Sequence, residues 1–428
     1  LWTGFLDSIE PIPSATGANK ARLKAIGPLG YLNKFEVSTT MFASKKAGEL
    51  IGEILDVAGW PEDDRDLDTG IIEFRRFWCE RTKTLKALRL VEESETGLLE
   101  ENASGQIVYR DRHARSKDTR STASQATYSD ASGAALAYSH ISQIDPLKFI
   151  YNQLTADIQL HSGAWILGSA SLDVTTELAG DAAVLWTHPE TDALSPSISA
   201  GATKTFTAQY PQSGSANTAR AVDFWSNLTS GTDYTANDSA DGTGTARHAS
   251  LSVSLTKRAQ SMDIAITNGH SGSVYLTKLQ AQGHAVTAKN NFEVTAIDAT
   301  SQTTFGKRTY PHPGKFVPDA EEAQNWADFH VGAWKDPVPL LRLTIVGNRS
   351  TATLTDIMTR EISDLVTVTA TSGAGLGINE GFFVEQVHHQ VDSELNHRAT
   401  FTLSQSSGYA GFFIVGNSSL GNSTRLAY

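Results

Sequence analysis

Apolar side chains recur every three or four residues in two segments near the start of the chain, as they do along one face of an α-helix. Residues 45–58 show this spacing, and Gly59 followed by Pro61 is a stop signal. Residues 82–93 repeat the pattern, and Gly97 follows shortly after. The pattern therefore predicts two helices in this part of the chain.

Shorter stretches of the same region carry the alternation that is typical of strands. Residues 1–6 and 21–26 have this character. Residues 98–100 and 106–110 flank the turn-forming sequence at 102–105, which is a hairpin signal. The first region is thus predicted to be mixed α+β.

The pattern changes over residues 155–275, where charged residues become sparse and Ser, Thr, Ala and Gly predominate. Turn-forming clusters recur, and alternating runs such as residues 203–208 and 251–255 lie between them. Short strands separated by frequent turns are typical of an all-β sandwich. We interpret this region as a β-domain inserted between two α+β regions.

The last region returns to mixed structure. Pro318 and Asp319 begin a predicted helix, with Asp319 as N-cap and Glu322 in the capping-box position. Predicted strands follow at residues 340–346, 365–370, 382–391 and 399–403. We expect a β-rich α+β protein with short helices, divided into residues 1–154, 155–275 and 276–428. A chain of 428 residues has room for about three domains.

Composition narrows the function classes. The hydrophobic share of 40% is enough for packed cores, and a net charge of −12 argues against binding through nucleic-acid phosphates or anionic membranes. No apolar run approaches the roughly 20 residues that span a bilayer. Cys79 is the single cysteine, which excludes an internal disulfide, and its bulky neighbours favour a small buried side chain over a nucleophile.

Two acidic segments could be mistaken for ion sites. Residues 64–70 resemble a calcium loop superficially, but Thr69 and Arg75 stand where that loop needs glycine and glutamate. A solvated acidic loop between a helix and a strand is the favoured interpretation. Residues 237–242 contain Asp and Gly in the proportions that a tight turn requires, and a turn is favoured there.

Two other segments also lack the context that chemistry requires. His388 and His389 are neighbours in a predicted strand, so their rings point to opposite faces and cannot chelate one metal together. The sequence nominates no other partner for them, and structural roles are favoured. Residues 373–377 are rich in glycine, but the helix that a dinucleotide site needs does not follow. We assign no catalytic, cofactor-binding or metal site.

The order of landmarks along the chain resembles that of tail-tip or baseplate-hub (minor tail) proteins of tailed phages. Residues 1–7, LWTGFLD, are similar to the LFTGYID strand of that family, and residues 25–32 to its A-x-G-x-L-x-x-L element. The helix at residues 47–56, the acidic turn at 65–70 and the hairpin at 92–112 follow in the same order.

Later landmarks continue the resemblance. Residues 298–308 are similar to the D-x-x-S-x-x-y-G-x-r segment of those proteins, and residues 382–389 to their f-x-V-e-x-v-x-h strand. The helix after Asp319 and the strand at 340–346 lie between them, as they do in the family. Order and spacing carry the resemblance, which covers nearly the whole chain except about residues 155–275.

The resemblance implies a structural subunit of the virion and not an enzyme, with no cofactor. It implies β-barrel-like hub domains in a ring, commonly a homotrimer, around the DNA channel at the distal end of the tail. The implied partners are other copies of the chain, the tail tube, and the distal-tail, tape-measure and fibre or spike proteins. DNA would pass without sequence-specific binding, and an acidic lumen would suit this passage. We also expect a further β-rich segment before Leu1, as in the family.

Three alternatives stay open at this stage. A carbohydrate-binding tail adhesin could stack sugars on Trp225, Tyr234 and Tyr275, provided that these rings face solvent in one groove. A tail-associated glycan hydrolase would need two carboxylates facing each other across a cleft. The hub of a contractile injection machine would share the same parts. Four tryptophans are candidate interface anchors, although core positions are favoured for each: Trp165, Trp186, Trp225 and Trp334.

Overall fold

The fold is of the α+β class with strands predominating, as the sequence predicted. The computed structural model describes residues 3–14, 17, 19–144, 147–161, 182–188, 196–210, 219–312, 316–317, 320–373, 375–406, 412–413 and 425–426.

The first region packs its helices and short strands around one apolar core. Its elements are β1 (Phe5–Ile12), β2 (Lys20–Ile26), α1 (Pro28–Leu32), β3 (Glu36–Val37), β4 (Phe42–Lys46), α2 (Ala47–Val57), β5 (Arg65–Leu67), β6 (Glu73–Phe77), β7 (Thr82–Lys83), α3 (Thr84–Glu95), β8 (Leu98–Glu101) and β9 (Ile107–Arg110), with a 3₁₀ turn at Glu62–Asp64. The periodic face of α2 is fully buried in this core. Both predicted helices are confirmed, and so is the hairpin, because β8 pairs with β9 antiparallel.

One prediction in this region was wrong. Residues 64–70 were expected to form a solvated loop, but Arg65–Leu67 forms β5, which runs parallel to β9. The strand forms because its backbone pairs with the sequence-distant β9. An ion pair accompanies this pairing: Arg110 Nη1 lies 3.0 Å from Asp66 Oδ1 and 3.5 Å from Asp68 Oδ1. The hydrogen bond from Arg110 also holds the pKa of Asp66 below its usual range. Local composition cannot reveal this partner.

A six-stranded sheet forms the second core. Its strands are β10 (Ala126–Ser129), β11 (His140–Ile144), β22 (Leu340–Val346), β23 (Leu365–Ala370), β24 (Ile378–Val391) and β25 (His397–Gln405). The spatial order is β10-β23-β24-β25-β22-β11, so residues 126–144 supply both edge strands to a sheet made otherwise from the end of the chain. Helix α8 (Thr351–Thr359) packs on this sheet through the buried Ile357. All four strands predicted for this region are confirmed.

One long strand connects the remaining two cores. β20 (Val274–Ile297) pairs at its C-terminal end with β12 (Gln153–His161), which also pairs with β21 (Thr309–Pro311). Helices α6 (Ala299–Phe305) and α7 (Ala320–Trp334) lie beside this end. Trp326 and Ala327 of α7 are buried against β12 and β20, which confirms the helix. Pro318 and its expected N-cap Asp319 lie outside the described residues.

The N-terminal end of β20 belongs to a different core. It pairs with four strands: β13 (Ala183–Thr187), β14 (Ser197–Ile198), β16 (Ala219–Trp225) and β17 (Tyr234–Asn237). A second sheet, in the order β15-β19-β18, consists of β15 (Thr203–Gln209), β18 (Leu251–Lys257) and β19 (Ser261–Asn268). Side chains from both sheets, such as Phe206, Ile264 and Leu276, share one buried cluster.

Four short elements complete the described structure: the helices α4 (Ala114–Lys117) and α5 (Thr119–Thr122), and the strands β26 (Phe412–Phe413) and β27 (Arg425–Leu426). Further 3₁₀ turns lie at Leu147–Phe149, His248–Ser250 and Gly347–Arg349. The predicted boundaries at residues 154 and 275 stay predictions, and β20 runs across the second of them.

Residues 110–120, here called the arginine linker, bind the separate cores together. Arg112 Nη1 lies 2.5 Å from Glu322 Oε1 in α7, and its side chain is only 4% exposed. Arg115 forms a two-pronged pair with Glu385 of β24 at 2.9 and 2.8 Å. Together with Arg110, these side chains connect the first core to both of its neighbours.

The linker ends in an ion pair with a fully buried carboxylate. Arg120 donates from Nε and Nη2 to the two carboxylate oxygens of Asp364, at 2.6 and 2.7 Å. The Asp364 side chain is fully buried, and Arg360 Nη1 lies 3.2 Å from its Oδ2. A charge that has lost its water must be compensated within the fold, so this carboxylate fixes the linker against the six-stranded sheet.

We predict that Asp364→Ala lowers the free energy of unfolding by about 3 kcal/mol, because it leaves two arginines without their shared buried carboxylate. Glu361→Ala is the matched control, since Glu361 is half exposed and lies 3.8 Å from Arg120. It should cost less than about 1 kcal/mol. Urea-induced unfolding followed by circular dichroism measures both variants. Equal losses in the two would show that the buried pair does not anchor the linker.

Candidate functional site

The antiparallel pair β1 and β2, here called the N-terminal ribbon, is a candidate assembly surface. Among the described residues, each of its two strands pairs only with the other. Alternate residues of β2 point to the same face of the ribbon, and each residue shares its face with the residue opposite it in β1. Three opposed pairs therefore lie on one face. These pairs are Leu6 with Ala25, Ile9 with Leu23, and Pro11 with Ala21. One face of the ribbon is therefore entirely apolar.

That apolar face is open to solvent. Leu6 and Ile9 are each 57% exposed, and Leu23 is 65% exposed. A two-stranded ribbon is marginally stable by itself in water, and exposed apolar patches mark surfaces that meet a partner. The N-terminal ribbon therefore has the character of an assembly surface.

The opposite face holds the ribbon on the first core. Phe5 stacks on Tyr31 of α1 with ring centroids 4.2 Å apart. Asp7 sits at a shift in the strand register and pairs with Lys34 at 2.7 Å and Lys24 at 3.1 Å. These hydrogen-bonded ion pairs lower the pKa of Asp7. The base of the ribbon is thus fixed while its apolar face points away from the chain.

A second feature is a cleft of about 540 Å³ where the first core, the arginine linker, α7 and the segment around Glu361 meet. Ten charged side chains contribute to its lining: Asp66, Asp68, Glu100, Arg110, Asp111, Arg112, Arg115, Asp118, Arg120 and Glu361. Most of them form ion pairs, and several of these cross the junction, such as Arg112 with Glu322 at 2.5 Å. The cleft is an ionic junction between packed units.

Two glutamates have strongly shifted pKa values: Glu100 lines this cleft, and Glu95 is buried next to its lining residue Thr96. Burial raises the pKa of Glu95 to about 7, although its Oε1 accepts a hydrogen bond from the Ile71 amide at 2.7 Å. Burial, and then the neighbouring charge of Glu361, raises the pKa of Glu100 to about 7 as well. His330, at the other wall, has a pKa lowered to about 3, chiefly by burial. Near neutral pH the junction therefore contains carboxyl groups close to their ionisation point.

The sequence candidates for ion binding or reactivity lie in a core, a turn and a loop. Cys79 is buried, and burial raises the pKa of its thiol to about 11, so the predicted role as a small packed side chain is confirmed. In the 237–242 segment, Asp241 accepts hydrogen bonds from Ser239 and Thr243, as expected of a turn. The glycine-rich residues 373–377 connect β23 to β24, with Ala374 outside the described residues.

The histidines differ from expectation in one respect. His388 and His389 do point to opposite faces of β24, because they are adjacent in a strand. However, the antiparallel partner β25 brings His397 to His389, with Nδ1 of His389 at 2.9 Å from Nε2 of His397. Partial burial, and then His397, lowers the pKa of His389. Sequence reasoning missed this pair because it depends on the register of β24 against β25.

The aromatic candidates lie mostly inside the fold. Trp225 and Tyr234 are buried, and Tyr275 is half-buried, so they do not line an open sugar-stacking groove together. Trp186 is buried, and Trp334, the last residue of α7, packs against the core that contains Trp326. Trp165 lies outside the described residues.

Three solved structures illustrate what the chain is similar to. The tail protein from Neisseria meningitidis MC58 has a TM-score of 0.49 and 10% identity, over 94% of this chain and 80% of that chain. The 43 kDa tail protein of prophage MuSo2 from Shewanella oneidensis has a TM-score of 0.45 and 9% identity, over 95% of this chain and 80% of that chain. The prophage tail protein gp18 from Listeria monocytogenes EGD-e has a TM-score of 0.37 and 8% identity, over 93% of this chain and 75% of that chain. All three are tail proteins, and each likeness spans most of this chain. No protein-family model and no curated protein matches the sequence.

Two kinds of feature are absent from the described residues. Among them, no group of three or more His, Cys, Asp or Glu side chains could hold a metal ion. No helix in the described part of the chain is long and apolar enough to cross a membrane.

We predict that Glu95 makes the fold less stable as the pH rises. Its raised pKa means that the folded state holds a proton more tightly than the unfolded chain does. The resulting stabilisation is complete below about pH 4.5 and is lost as the pH passes about 7, which amounts to up to about 3 kcal/mol. Glu95→Gln removes this titration, so its unfolding free energy should fall less than that of the wild type between about pH 5 and about pH 8.

Urea unfolding at several pH values measures these slopes. Glu62→Gln, at an exposed position, is the control and should follow the wild-type slope. An unchanged slope in Glu95→Gln would show that Glu95 does not titrate in this range.

Proposed function

We propose that this chain is a structural subunit of a viral tail, placed at the tail tip or baseplate hub. The tail assignment is supported by the order and spacing of the sequence landmarks that resemble minor tail proteins. A role in assembly is supported by the N-terminal ribbon. Its apolar face has no cover among the described residues and needs a partner molecule or segment.

The ribbon is the observation that carries the assembly role. Leu6, Ile9 and Leu23 together form a continuous apolar strip on a fixed base, and burying such a strip is favourable by roughly 25 cal/mol per Å². The ion pairs of Asp7 hold the strip in one orientation before any partner arrives. A preordered surface loses less conformational freedom on association than a flexible one.

The number of copies and their position in the tail are proposed from the sequence resemblance. We infer a ring of copies, commonly three in the related proteins, around the DNA channel at the distal end of the tail. In this arrangement the regions 1–154 and 276–428 are hub-type, barrel-like domains, and 155–275 is an inserted sandwich. The tail tube and the distal-tail, tape-measure and fibre or spike proteins are the proposed partners. The role proposed is structural, without catalysis or a cofactor.

The carbohydrate-binding alternative has little support from the residues first considered for it. Trp225 and Tyr234 are buried, and the Trp225 indole N–H donates to the Arg258 carbonyl at 2.7 Å inside the fold. An aromatic ring in a core position cannot stack on a sugar.

The hydrolase alternative would use the ionic junction, where Glu100 has the raised pKa expected of a general acid. The surrounding carboxylates form ion pairs with arginines and lysines, as Asp66 does with Arg110. This pairing suits a packed junction between units better than a site that must hold a substrate.

We predict that Ile9→Lys and Leu23→Lys prevent assembly by placing charges on the apolar face of the ribbon. Leu395→Lys is the matched control, since Leu395 is 73% exposed at the turn between β24 and β25, outside the ribbon. The mass of each variant in solution, measured by light scattering with negative-stain imaging, distinguishes rings from monomers. Binding to purified tail tubes is measured in parallel.

Wild-type rings or tube binding, lost in the two ribbon variants and kept in the control, would support the proposal. A wild-type monomer that ignores tail tubes would overturn the assembly role. The middle region would then be screened against glycans.

A further inference from the structure

The pairing of β24 with β25 places two imidazoles in contact on one face of the sheet. In this register Val391 lies opposite His397, and His389 lies opposite Ala399. His389 and Val391 share a face because they are two residues apart, so His397 lies diagonally across from His389 on that face. His388 lies opposite Thr400 on the other face.

The two facing nitrogens have the separation of a chelating pair. Nδ1 of His389 and Nε2 of His397 are 2.9 Å apart and share a hydrogen bond, in which one of the two nitrogens carries the proton. Two imidazole nitrogens bound at about 2.05 Å to one ion, about 90° apart, are themselves about 2.9 Å apart. The separation at a tetrahedral angle is about 3.3 Å, which a small ring rotation supplies.

The backbone under this pair is fixed by polar contacts. The His397 amide donates to Asn348 Oδ1 at 2.6 Å, and Asn348 Nδ2 donates to the Leu395 carbonyl at 3.1 Å. Asp392 closes the turn by accepting hydrogen bonds from the amides of Glu394 and Asn396, both at 2.9 Å. A ligand pair on a fixed strand end loses little freedom when an ion binds.

From this geometry we propose that His389 and His397 form a two-histidine site for a divalent transition-metal ion that accepts imidazole ligands, such as Ni²⁺, Cu²⁺ or Zn²⁺. A nitrogen–metal–nitrogen angle of about 90° favours the tetragonal geometry of Cu²⁺ and Ni²⁺ over the tetrahedral geometry of Zn²⁺. Binding requires both facing nitrogens to be free of a proton. The ring that donates the hydrogen bond must move its proton to its other nitrogen, so neutral rings change tautomer and release no net proton.

The remaining coordination positions are filled by water or by a ligand from another molecule. His389 is exposed and His397 is half-buried, so an ion reaches the pair from solvent. This proposal stands apart from the assembly role, because it rests on the two rings and not on the N-terminal ribbon.

Calorimetric titration of the full chain with NiCl₂ and ZnCl₂, after dialysis against a chelator, tests the site near neutral pH. We expect one saturable site in the wild type, tighter for Ni²⁺ than for Zn²⁺. His389→Ala and His397→Ala should each weaken it by about a hundredfold, because the loss of one ligand removes chelation. His388→Ala is the matched control and should bind as the wild type does.

Chemical modification of histidines in the wild type provides a second measurement that needs no variant. Ni²⁺ should protect His389 and His397 from diethylpyrocarbonate, detected by mass spectrometry, and leave His388 reactive. Wild-type affinity in either single variant, or equal protection of all three histidines, would overturn the proposal.

Discussion

The buried carboxylate of Asp364 and the arginine linker that it holds are the constraint on which the rest of the structure depends. The linker leaves the first core after β9 and immediately meets charged partners in α7, β24 and the loop before β23. A carboxylate that has lost its water is costly unless matched, so these pairs tolerate few alternative arrangements. Burial raises the pKa of Glu100, which lines this junction, and this links the joining of the cores to proton binding.

β20 supplies a different kind of connection. One end of the strand lies in the core that contains Trp326, and the other lies in the core that contains Ile264. A continuous strand cannot bend freely without breaking its ladder of hydrogen bonds, so the two cores share a stiff element. The arginine linker and β20 together position the parts of the molecule through charge and backbone pairing, respectively.

The surfaces suited to assembly lie away from these internal connections. The N-terminal ribbon presents an apolar face, whereas the end of the β24–β25 hairpin presents the histidine pair. The ionic junction has nearly all of its charges matched within the chain, as suits a packed connection. Neutralised interior contacts together with an uncovered apolar strip are what a building block needs, because it must fold alone and then bind.

The sequence by itself determined the local elements whose hydrophobic period is unambiguous. The helix containing Leu50 and Ile54, the hairpin of β8 and β9 and the late strands were all predicted from spacing, because burial of one face imposes that spacing. The buried state of Cys79 followed from its neighbours in the same way. Only the tertiary structure decided that Arg65–Leu67 is a strand, since the strand β9 with which it pairs lies far along the chain.

The candidate sites divide in the same manner. Sequence spacing correctly separated His388 from His389, yet the register that brings His397 to His389 is a property of two paired strands. The apolar residues of β1 and β2 are visible in the sequence, but their exposure depends on which surfaces the remainder of the fold leaves uncovered. Hydrophobic periodicity can be read from a few neighbouring residues. The pairing partner of a residue and its solvent exposure depend on contacts between distant segments, which no local pattern encodes.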